Sequence, residues 1–277
     1  IVPDTAAMQV EVLSVRFRER QARIAPSKGL ISRKIDPATV PFRFGDAYQQ
    51  DALRPGPLAA LGQPYVLRDH RGMVVKLRPF QYNPVTGLLR TYTELRVQLT
   101  AVVTSRVNVP SRAAPRGGFE AFESLYASHF LNADQRAPAD SSHTIDEDGE
   151  MLVICHDPWV DDMDPFVSHK EGAGIPVDVV PVSEVGNDAG SIASYIQDTY
   201  DSTDLAYVLL VGDAAEVATP QEDGGAADPT YAKVDGADDY PDILVGRFSA
   251  QTADELDTQV QRAIDYENAP ATEQDWY

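Results

Sequence analysis

The first 115 residues alternate short apolar and polar runs, which is the pattern of β-strands with one buried face. No stretch among them keeps a helical period for long, so an antiparallel β-sandwich is the predicted fold of this part. Proline and glycine in NPVTG (83–87) mark a turn between the third and fourth strands. The predicted strands are MQVEVLSVRF (8–17), PYVLRD (64–69), GMVVKLRPFQY (72–82) and LLRTYTELRVQLTAVV (88–103).

A helix and a polar segment separate this part from the rest of the chain. FEAFESLYASHFL (119–131) spaces its apolar residues as a helix does, whereas residues 132–150 are mostly polar, charged or helix-breaking. We interpret residues 132–150 as an exposed linker. Proteases cut such linkers, so Arg136 is either a candidate processing site or an ordinary surface arginine. The predicted division is a first domain over 1–131, the linker, and a second domain over 151–277.

From residue 151 onwards, predicted strands and helices alternate. Near-continuous apolar runs predict strands buried in a parallel sheet, namely MLVICHD (151–157), VDVVPV (177–182), YVLLVGD (207–213) and DILVGRF (242–248). Helical patterns lie between and after them, in PFVSHKEGAG (165–174), DAGSIASYIQDTYDS (188–202) and TADELDTQVQRAIDYEN (252–268). The whole chain is thus predicted to be an α+β protein of two domains, the second with an α/β sheet of about four strands.

The two halves of the chain also differ in charge: the first is basic and the second is strongly acidic. Residues 1–136 hold 19 Lys and Arg against 11 Asp and Glu, whereas residues 137–277 hold 4 against 32. This indicates either two units docked through opposite fields or an acidic, well-solvated surface suited to high salt. Nucleic acid is not an expected partner of the acidic half, because phosphate repels it. No apolar window approaches 18 residues, so no membrane span is predicted.

The side chains suited to nucleophilic or metal chemistry form no complete constellation in the sequence. Cys155 is the single cysteine, which excludes an internal disulfide and a cysteine-based zinc site. It precedes His156, but neighbours on a strand point to opposite faces, so we interpret Cys155 as a packed core thiol. Neither a GxSxG elbow nor a glycine-rich phosphate loop follows a predicted strand.

An acidic cluster is the strongest candidate for a site. DGADDYPD (235–242) holds four carboxylates directly before the last predicted strand, and Asp213 ends the strand before it. We expect Asp213 at the carboxyl edge of the sheet, where open α/β folds bind ligands. Calcium takes six to eight oxygen ligands in flexible geometry, and Gly236 permits a bend in the loop. The spacing leaves two interpretations open, a calcium site or a solvated acidic loop.

The chain resembles the gingipain-like cysteine peptidases in both halves. YVLLVGD, DPTYAKVDGADDYPDILVGRFSA and ELDTQVQRAIDYE, all within 207–267, are similar to the amino-terminal half of the peptidase domain. GQPYVLRDHRGMVVKLRPFQYNPVTGLLRTYTEL (62–95) is similar to the propeptide. The resemblance implies a secreted or cell-surface zymogen, in which a β-sandwich prodomain precedes a caspase-like, three-layer α/β peptidase domain. It also implies that the prodomain docks on the enzyme within the same chain.

The resemblance also implies where the chemistry lies. The family uses a Cys nucleophile and a His partner in strands that follow Tyr277, so no catalytic residue is assigned to this chain and Cys155 does not match the nucleophile. Family members bind calcium at the Asp that ends the VGD strand and in the acidic loop. Asp239 is an alternative to Asp238 among the matching positions, which are Asp213, Asp235, Asp238, the Tyr240 carbonyl and Asp242.

The predicted function is that of the prodomain and first catalytic subdomain of a cysteine endopeptidase zymogen acting on proteins or peptides. This chain alone is expected to be proteolytically silent. Arg136 lies near the processing point of the family, and Arg112 and Arg116 would present basic side chains to the substrate cleft as inhibitory contacts. The alternatives are a non-proteolytic, calcium-braced binding or adhesion module and a secretion-linked transpeptidase of the same fold.

Overall fold

The computed structural model describes residues 1–111, 120–133 and 149–270, and the chain divides into two compact units. The first unit, which we call unit 1, comprises Ile1–Asp4, Pro64–Gly72 and Val107–Tyr277. The second, unit 2, comprises Thr5–Gln63 and Met73–Arg106. Unit 1 therefore combines the whole second half of the chain with three segments of the first half, one of them around residue 68. The sequence-based division at residue 131 did not include the placement of residues 64–72 in unit 1.

Antiparallel strands build the first half of the chain, as the alternating pattern predicts. They are β1 (Ala6–Gln21), β2 (Ala59–Leu67), β3 (His70–Leu77), β4 (Phe80–Asn83) and β5 (Leu88–Thr104). Within unit 2, β5 pairs with β1 on one side and with β4 on the other. Leu95, Val97 and Leu99 are half-buried while the residues between them are exposed, so the predicted period of two is confirmed.

The third predicted strand, residues 72–82, is two strands in the structure. β3 ends at Leu77 and β4 begins at Phe80, with Pro79 between them. Proline has no N–H to donate to a ladder, so it ends strand pairing at this point. β2 and β3 form a hairpin whose two-residue turn is Arg68 and Asp69, which were predicted as the end of a strand.

The second half alternates helices and strands around a parallel sheet. The first half ends with helix α1 (Glu120–His129), and the elements of the second half are β6 (Glu150–Cys155), α2 (Asp164–Gly172), β7 (Val177–Pro181), α3 (Val182–Val185), α4 (Ala189–Ser202), β8 (Leu205–Val211), β9 (Gln221–Glu222), β10 (Gly225–Ala226), β11 (Leu244–Phe248) and α5 (Ala253–Asn268). The sheet order is β11-β8-β6-β7 with every neighbour parallel, and β9 and β10 form a separate short hairpin. The predicted β/α alternation is confirmed.

Helices cover both faces of this sheet because alternate strand residues are apolar on both sides. Ile192, Ile196 and Tyr200 of α4, spaced at four residues, pack on the face that presents Leu152 and Ile154. The opposite face presents Val153 and Cys155 to side chains of α2 and α5, namely Phe166, Leu256 and Val260. Full burial of one such side chain stabilises the fold by about 1.5–3 kcal/mol.

Two features of the described helices concern the cap of α5 and the absence of a membrane span. Thr252 caps α5 by accepting a hydrogen bond from the N–H of Glu255. In the described part of the chain, no helix combines the length and the apolar character needed to cross a membrane.

Candidate functional site

The acidic loop, residues 235–242, lies at the amino end of the parallel sheet. It leads directly into β11, which begins at Leu244 beside Tyr207 of β8. Asp213 follows the other end of β8, which is the carboxyl edge. Six steps of about 3.3 Å along β8 place the two edges roughly 20 Å apart. The predicted five-residue set is thus divided between opposite edges of the sheet, because parallel strands all begin at one edge and end at the other.

At the carboxyl edge of the sheet, neutral donors supply hydrogen bonds to the carboxylate of Asp213. Its carboxylate accepts hydrogen bonds from the Ala214 N–H (2.9 Å), the Ser249 hydroxyl (3.0 Å) and the Gln251 amide (2.8 Å). The Gln251 amide is the main cause that holds the pKa of Asp213 below its usual value. Asp213 therefore fastens the loop between β11 and α5 to the end of β8.

Asp242 is the most deeply buried carboxylate of the acidic loop, with none of its surface exposed. Its Oδ1 accepts a hydrogen bond from the Arg68 N–H (2.8 Å), and its Oδ2 accepts from the N–H groups of Val234 (3.1 Å) and Asp235 (2.8 Å). Burial raises the pKa of Asp242 to about 7, although these N–H groups act in the opposite direction.

Asp235 and Asp238 also accept hydrogen bonds from residues of the first half of the chain. The N–H of Ser111 lies 3.1 Å from each carboxylate oxygen of Asp235, and the Ser111 hydroxyl donates to Oδ2 at 3.0 Å. The N–H of Val66 donates to Oδ2 of Asp238 (2.8 Å), whereas Oδ1 accepts from the N–H of Tyr240 (3.0 Å). The loop carboxylates therefore accept hydrogen bonds both from N–H groups in and next to the loop and from backbone and hydroxyl donors of the first half of the chain.

The structure distinguishes Asp238 from Asp239, the two alternatives of the sequence analysis. Asp238 is half-buried and faces Val66, whereas the Asp239 side chain is 91% exposed and pairs with Lys233 at 2.9 Å. Tyr240 contributes its ring, which stacks on Tyr65 with centroids 3.8 Å apart. Gly236 adopts φ +78°, which confirms the predicted bend.

These residues do not fit one calcium ion. Each of the six carboxylate oxygens of Asp235, Asp238 and Asp242 already accepts at least one hydrogen bond, and Asp213, which the predicted set also includes, lies at the opposite edge of the sheet. No group of three or more His, Cys, Asp or Glu within the described ranges has an arrangement that could hold a metal. Calcium stays a prediction that rests on the resemblance.

Cys155 is not placed for nucleophilic chemistry. Its side chain is fully buried in the core between the sheet, α2 and α5. Burial raises the pKa of the thiol to about 12, and the carboxylates of Asp162 and Asp157 act in the same direction. The thiol is therefore protonated at neutral pH, as expected for a packed core residue.

Three predicted residues, Arg112, Arg116 and Arg136, lie outside the described residues. Three others that sequence reasoning did not select contact the acidic loop: Arg68, Asn108 and Ser111. Each is more than 120 positions away from its partner in the chain, so no local spacing marks them. The one local signal is Arg68-Asp69, two charged residues between apolar runs, where a turn is more plausible than a continuous strand.

Two family models match the chain in succession. The model described as Propeptide_C25 matches residues 1–130, and the model described as Peptidase family C25 matches residues 144–277. Gingipain R2 of Porphyromonas gingivalis (strain ATCC BAA-308 / W83) is 36% identical over 282 residues, which cover 99% of this chain and 38% of that protein. Lys-gingipain HG66 of Porphyromonas gingivalis is 24% identical over 257 residues, covering 89% of this chain and 15% of that protein.

The chain is also similar to part of a solved structure. The complex of Porphyromonas gingivalis RgpB pro- and mature domains is 41% identical over 49% of this chain and 67% of that chain, with a TM-score of 0.41. This chain spans well under half the length of the curated relatives described above.

Proposed function

Because the chain belongs to the gingipain-like cysteine peptidases of family C25, we propose that it is the propeptide and the beginning of the peptidase domain of a cysteine endopeptidase zymogen. The observation that carries the proposal is the order of the two family matches. Propeptide_C25 ends at residue 130 and Peptidase family C25 begins at residue 144, which is the order of a zymogen. The segment between the two matches contains Arg136, the candidate processing site.

The proposed chemistry is peptide-bond hydrolysis by a Cys and His pair located downstream of this chain. A thiolate attacks the scissile carbonyl, the imidazole transfers protons, and backbone N–H groups stabilise the oxyanion. The described residues contribute the scaffold: the parallel sheet and the helices on both faces hold the edge where β8 and β11 end. Cys155 takes no part, since it is buried and protonated.

The finer features of the resemblance belong to the same proposal. We infer a caspase-like arrangement for the second half, a β-sandwich for the first, and a secreted or cell-surface location for the whole protein. The propeptide is proposed to dock on its own peptidase domain, with Arg112 and Arg116 near the substrate cleft. The opposite charges of the two halves, 19 basic against 11 acidic residues and then 4 against 32, support this docking.

The comparisons do not favour the alternatives, a calcium-braced binding or adhesion module and a secretion-linked transpeptidase. Both family models describe parts of a peptidase precursor. Asp228, an acidic residue outside the loop, has a structural role: it accepts two hydrogen bonds of 2.7 and 2.8 Å from the guanidinium of Arg247. Such pairing accounts for part of the acidic surface without a ligand.

The proposal is tested with the whole protein, of which this chain is one part. After processing, it should cleave peptide substrates in the presence of a reducing agent and lose this activity to iodoacetamide. Cys155→Ala should keep the activity, whereas a matched alanine at the downstream cysteine should abolish it. A processed protein without thiol-dependent cleavage, or activity that Cys155→Ala abolishes, would contradict the proposal.

A further inference from the structure

The segment Pro64–Gly72, which we call the strap, is part of unit 1 although it comes from the first half of the chain. It consists of the end of β2, the turn and the start of β3. Its N–H groups at Val66 and Arg68 alternate along an extended strand, so both point to the same side. They meet Asp238 and Asp242 of the acidic loop at 2.8 Å each.

Arg68 anchors the turn of the strap at the amino edge of the sheet. Its side chain is fully buried, and Nη1 donates to the carbonyl oxygens of Leu205 (2.9 Å) and Asp242 (3.0 Å). The guanidinium carbon lies 4.4 Å from the centroid of the Phe122 ring. Arg68 has φ +50°, a conformation that costs an ordinary residue about 1–3 kcal/mol, so these contacts offset a strained backbone.

A second segment of the first half supports the strap. The buried guanidinium of Arg71 donates to the carbonyl oxygens of Val107 and Asn108, which fixes the chain beside the strap. Asn108 then bridges the two partners: its Nδ2 donates to the Pro64 carbonyl (2.8 Å), and its Oδ1 accepts from the Ala237 N–H of the acidic loop (3.0 Å). Ser111 completes the arrangement through Asp235.

Aromatic and apolar side chains make the contact continuous with the core. Tyr65 and Leu67 of the strap pack around the fully buried Ala206 of β8, together with three aromatic residues, of which two belong to α1 and one directly follows it. Those three are Phe122, Tyr126 and Phe130. Tyr65 stacks on Tyr240, and a Cβ on Gly72 would lie 2.3 Å from the Tyr65 ring. The Gly72 contact holds the Tyr65 ring within the strap, and the stacking on Tyr240 joins the strap to the acidic loop.

We propose that the acidic loop is the docking site of the propeptide strap, and that in the intact chain it binds this segment instead of a cation. The loop recognises an extended backbone whose two alternate N–H groups face carboxylates and whose arginine enters the edge of the sheet. Val66, Arg68 and Ser111 supply at least one donor to each of the three inward carboxylates. The assignment rests on the proposed function in one respect, that residues 1–131 are a propeptide.

The partial positive charge of the donors explains how three carboxylates share so small a volume. A carboxylate that accepts backbone N–H groups is stabilised in its charged form, although burial outweighs this effect at Asp242 and raises its pKa to about 7. A calcium ion in the same place would face the hydrogen atoms of these groups. We therefore expect the strap and a cation to compete for the loop.

The experiment uses the full chain with a site-specific protease sequence inserted in the linker, so that the two pieces separate only if the docking contact fails. The propeptide piece is immobilised after cutting, and release of the peptidase piece is followed with time. Asp238→Asn and Asp242→Asn should release it about tenfold faster or more, as expected for loss of a hydrogen bond to a charged group. Asp239→Asn, one position away and exposed, should match the unmodified chain.

Variants on the propeptide side keep the test valid if a loop variant fails to fold. Asn108→Ala and Ser111→Ala leave the acidic loop unchanged and should also speed the release. The docking assignment is overturned if folded variants at these positions release the peptidase piece at the rate of Asp239→Asn. The result is independent of peptidase activity: normal docking with an inactive whole protein would contradict only the proposed function.

Calcium supplies a second readout on the uncut chain. Its melting temperature should be the same in calcium chloride and in EDTA, because strap donors occupy the loop. A rise of several degrees in calcium that Asp238→Asn and Asp242→Asn abolish, and that Asp239→Asn retains, would overturn the assignment.

Discussion

The backbone N–H of Arg68 lies 2.8 Å from Oδ1 of Asp242, although 174 positions separate the two residues in the chain. The guanidinium of Arg68 also reaches the Asp242 carbonyl oxygen at 3.0 Å, so one arginine holds one aspartate by its backbone and by its side chain. Because Arg68 forms the turn of the β2-β3 hairpin and Asp242 precedes β11, this contact joins the two halves of the chain inside unit 1.

Replacing the buried guanidinium should be strongly destabilising. Arg68→Met leaves the carbonyl oxygens of Leu205 and Asp242 without their donor, and we expect it to lower the free energy of unfolding by about 3 kcal/mol. Urea denaturation followed by circular dichroism measures the change. Arg18→Met is the matched control, since Arg18 is an exposed residue of β1. Equal midpoints for the two variants would show that the Arg68 contacts contribute nothing to stability.

Gly236 in the acidic loop and Gly224 outside it allow the cost of backbone strain to be separated from the cost of a side-chain clash. Gly236 and Gly224 both have positive φ, at +78° and +82°, but only Gly236 is crowded: a Cβ there would lie 2.8 Å from the Asp238 carboxylate and 3.2 Å from Val66. Gly224→Ala should cost about 1 kcal/mol from the backbone alone. Gly236→Ala should cost at least about 1 kcal/mol more, because Asp238 or the strap must move.

The comparison of these two variants in urea denaturation is informative in either direction. A larger loss for Gly236→Ala supports close contact between the strap and the loop. Identical losses would mean that the strap does not press on Gly236, and they would weaken the docking assignment.

The sequence predicted elements well and long-range contacts poorly, for a physical reason. Strand and helix periods are local, so the β/α alternation and the α5 cap could be derived from the sequence. The place of Asp213 could also be derived, because it follows a parallel strand. The acidic loop precedes β11 and belongs to the opposite edge, a distinction that parallel topology fixes and that residue type does not reveal.

The donors of the loop were beyond local pattern analysis. Val66 and Arg68 reach Asp238 and Asp242 through backbone N–H groups, which every residue except proline carries. A cluster of carboxylates indicates that something compensates their negative charge. Backbone N–H groups, a metal ion and water cannot be distinguished as that partner from the sequence. Only the packing of Leu67 and Tyr65 against the sheet selects the strap.

Stability should depend on pH through Asp242. Burial raises its pKa in the folded chain to about 7 from an ordinary value of 3.8, with the carboxylate of Asp235 acting in the same direction and N–H donors opposing it. The folded state therefore holds a proton that the unfolded state releases. Its contribution to stability is fully present below about pH 4, falls as pH rises towards 7, and is constant above that.

Asp242→Asn isolates this effect from the titration of other groups. The difference in unfolding free energy between pH 5 and pH 8 should be smaller in the variant than in the unmodified chain, as urea denaturation at both values would show. Asp239→Asn, the exposed neighbour, should keep the original difference. A pH dependence that Asp242→Asn leaves unchanged would assign the effect to another group.

The linker should be the first point of proteolytic attack. Arg136 is the single Lys or Arg between residues 117 and 169, so trypsin should cut there before it cuts either half. Mass spectrometry of the early fragments identifies the cleaved bond. Arg136→Gln should delay the first cut while leaving the later ones at their original rates. Early fragments that end elsewhere would contradict the predicted processing site.

The thiol of Cys155 should be inert in the folded chain. A fully buried thiol whose pKa is raised to about 12 offers neither access nor thiolate, so iodoacetamide at pH 8 should not label it within the time that labels it completely in urea. The urea sample is the control for reagent quality. Rapid labelling of the native chain would show that the core between the sheet, α2 and α5 opens readily. It would also reopen the question of whether Cys155 has a chemical role.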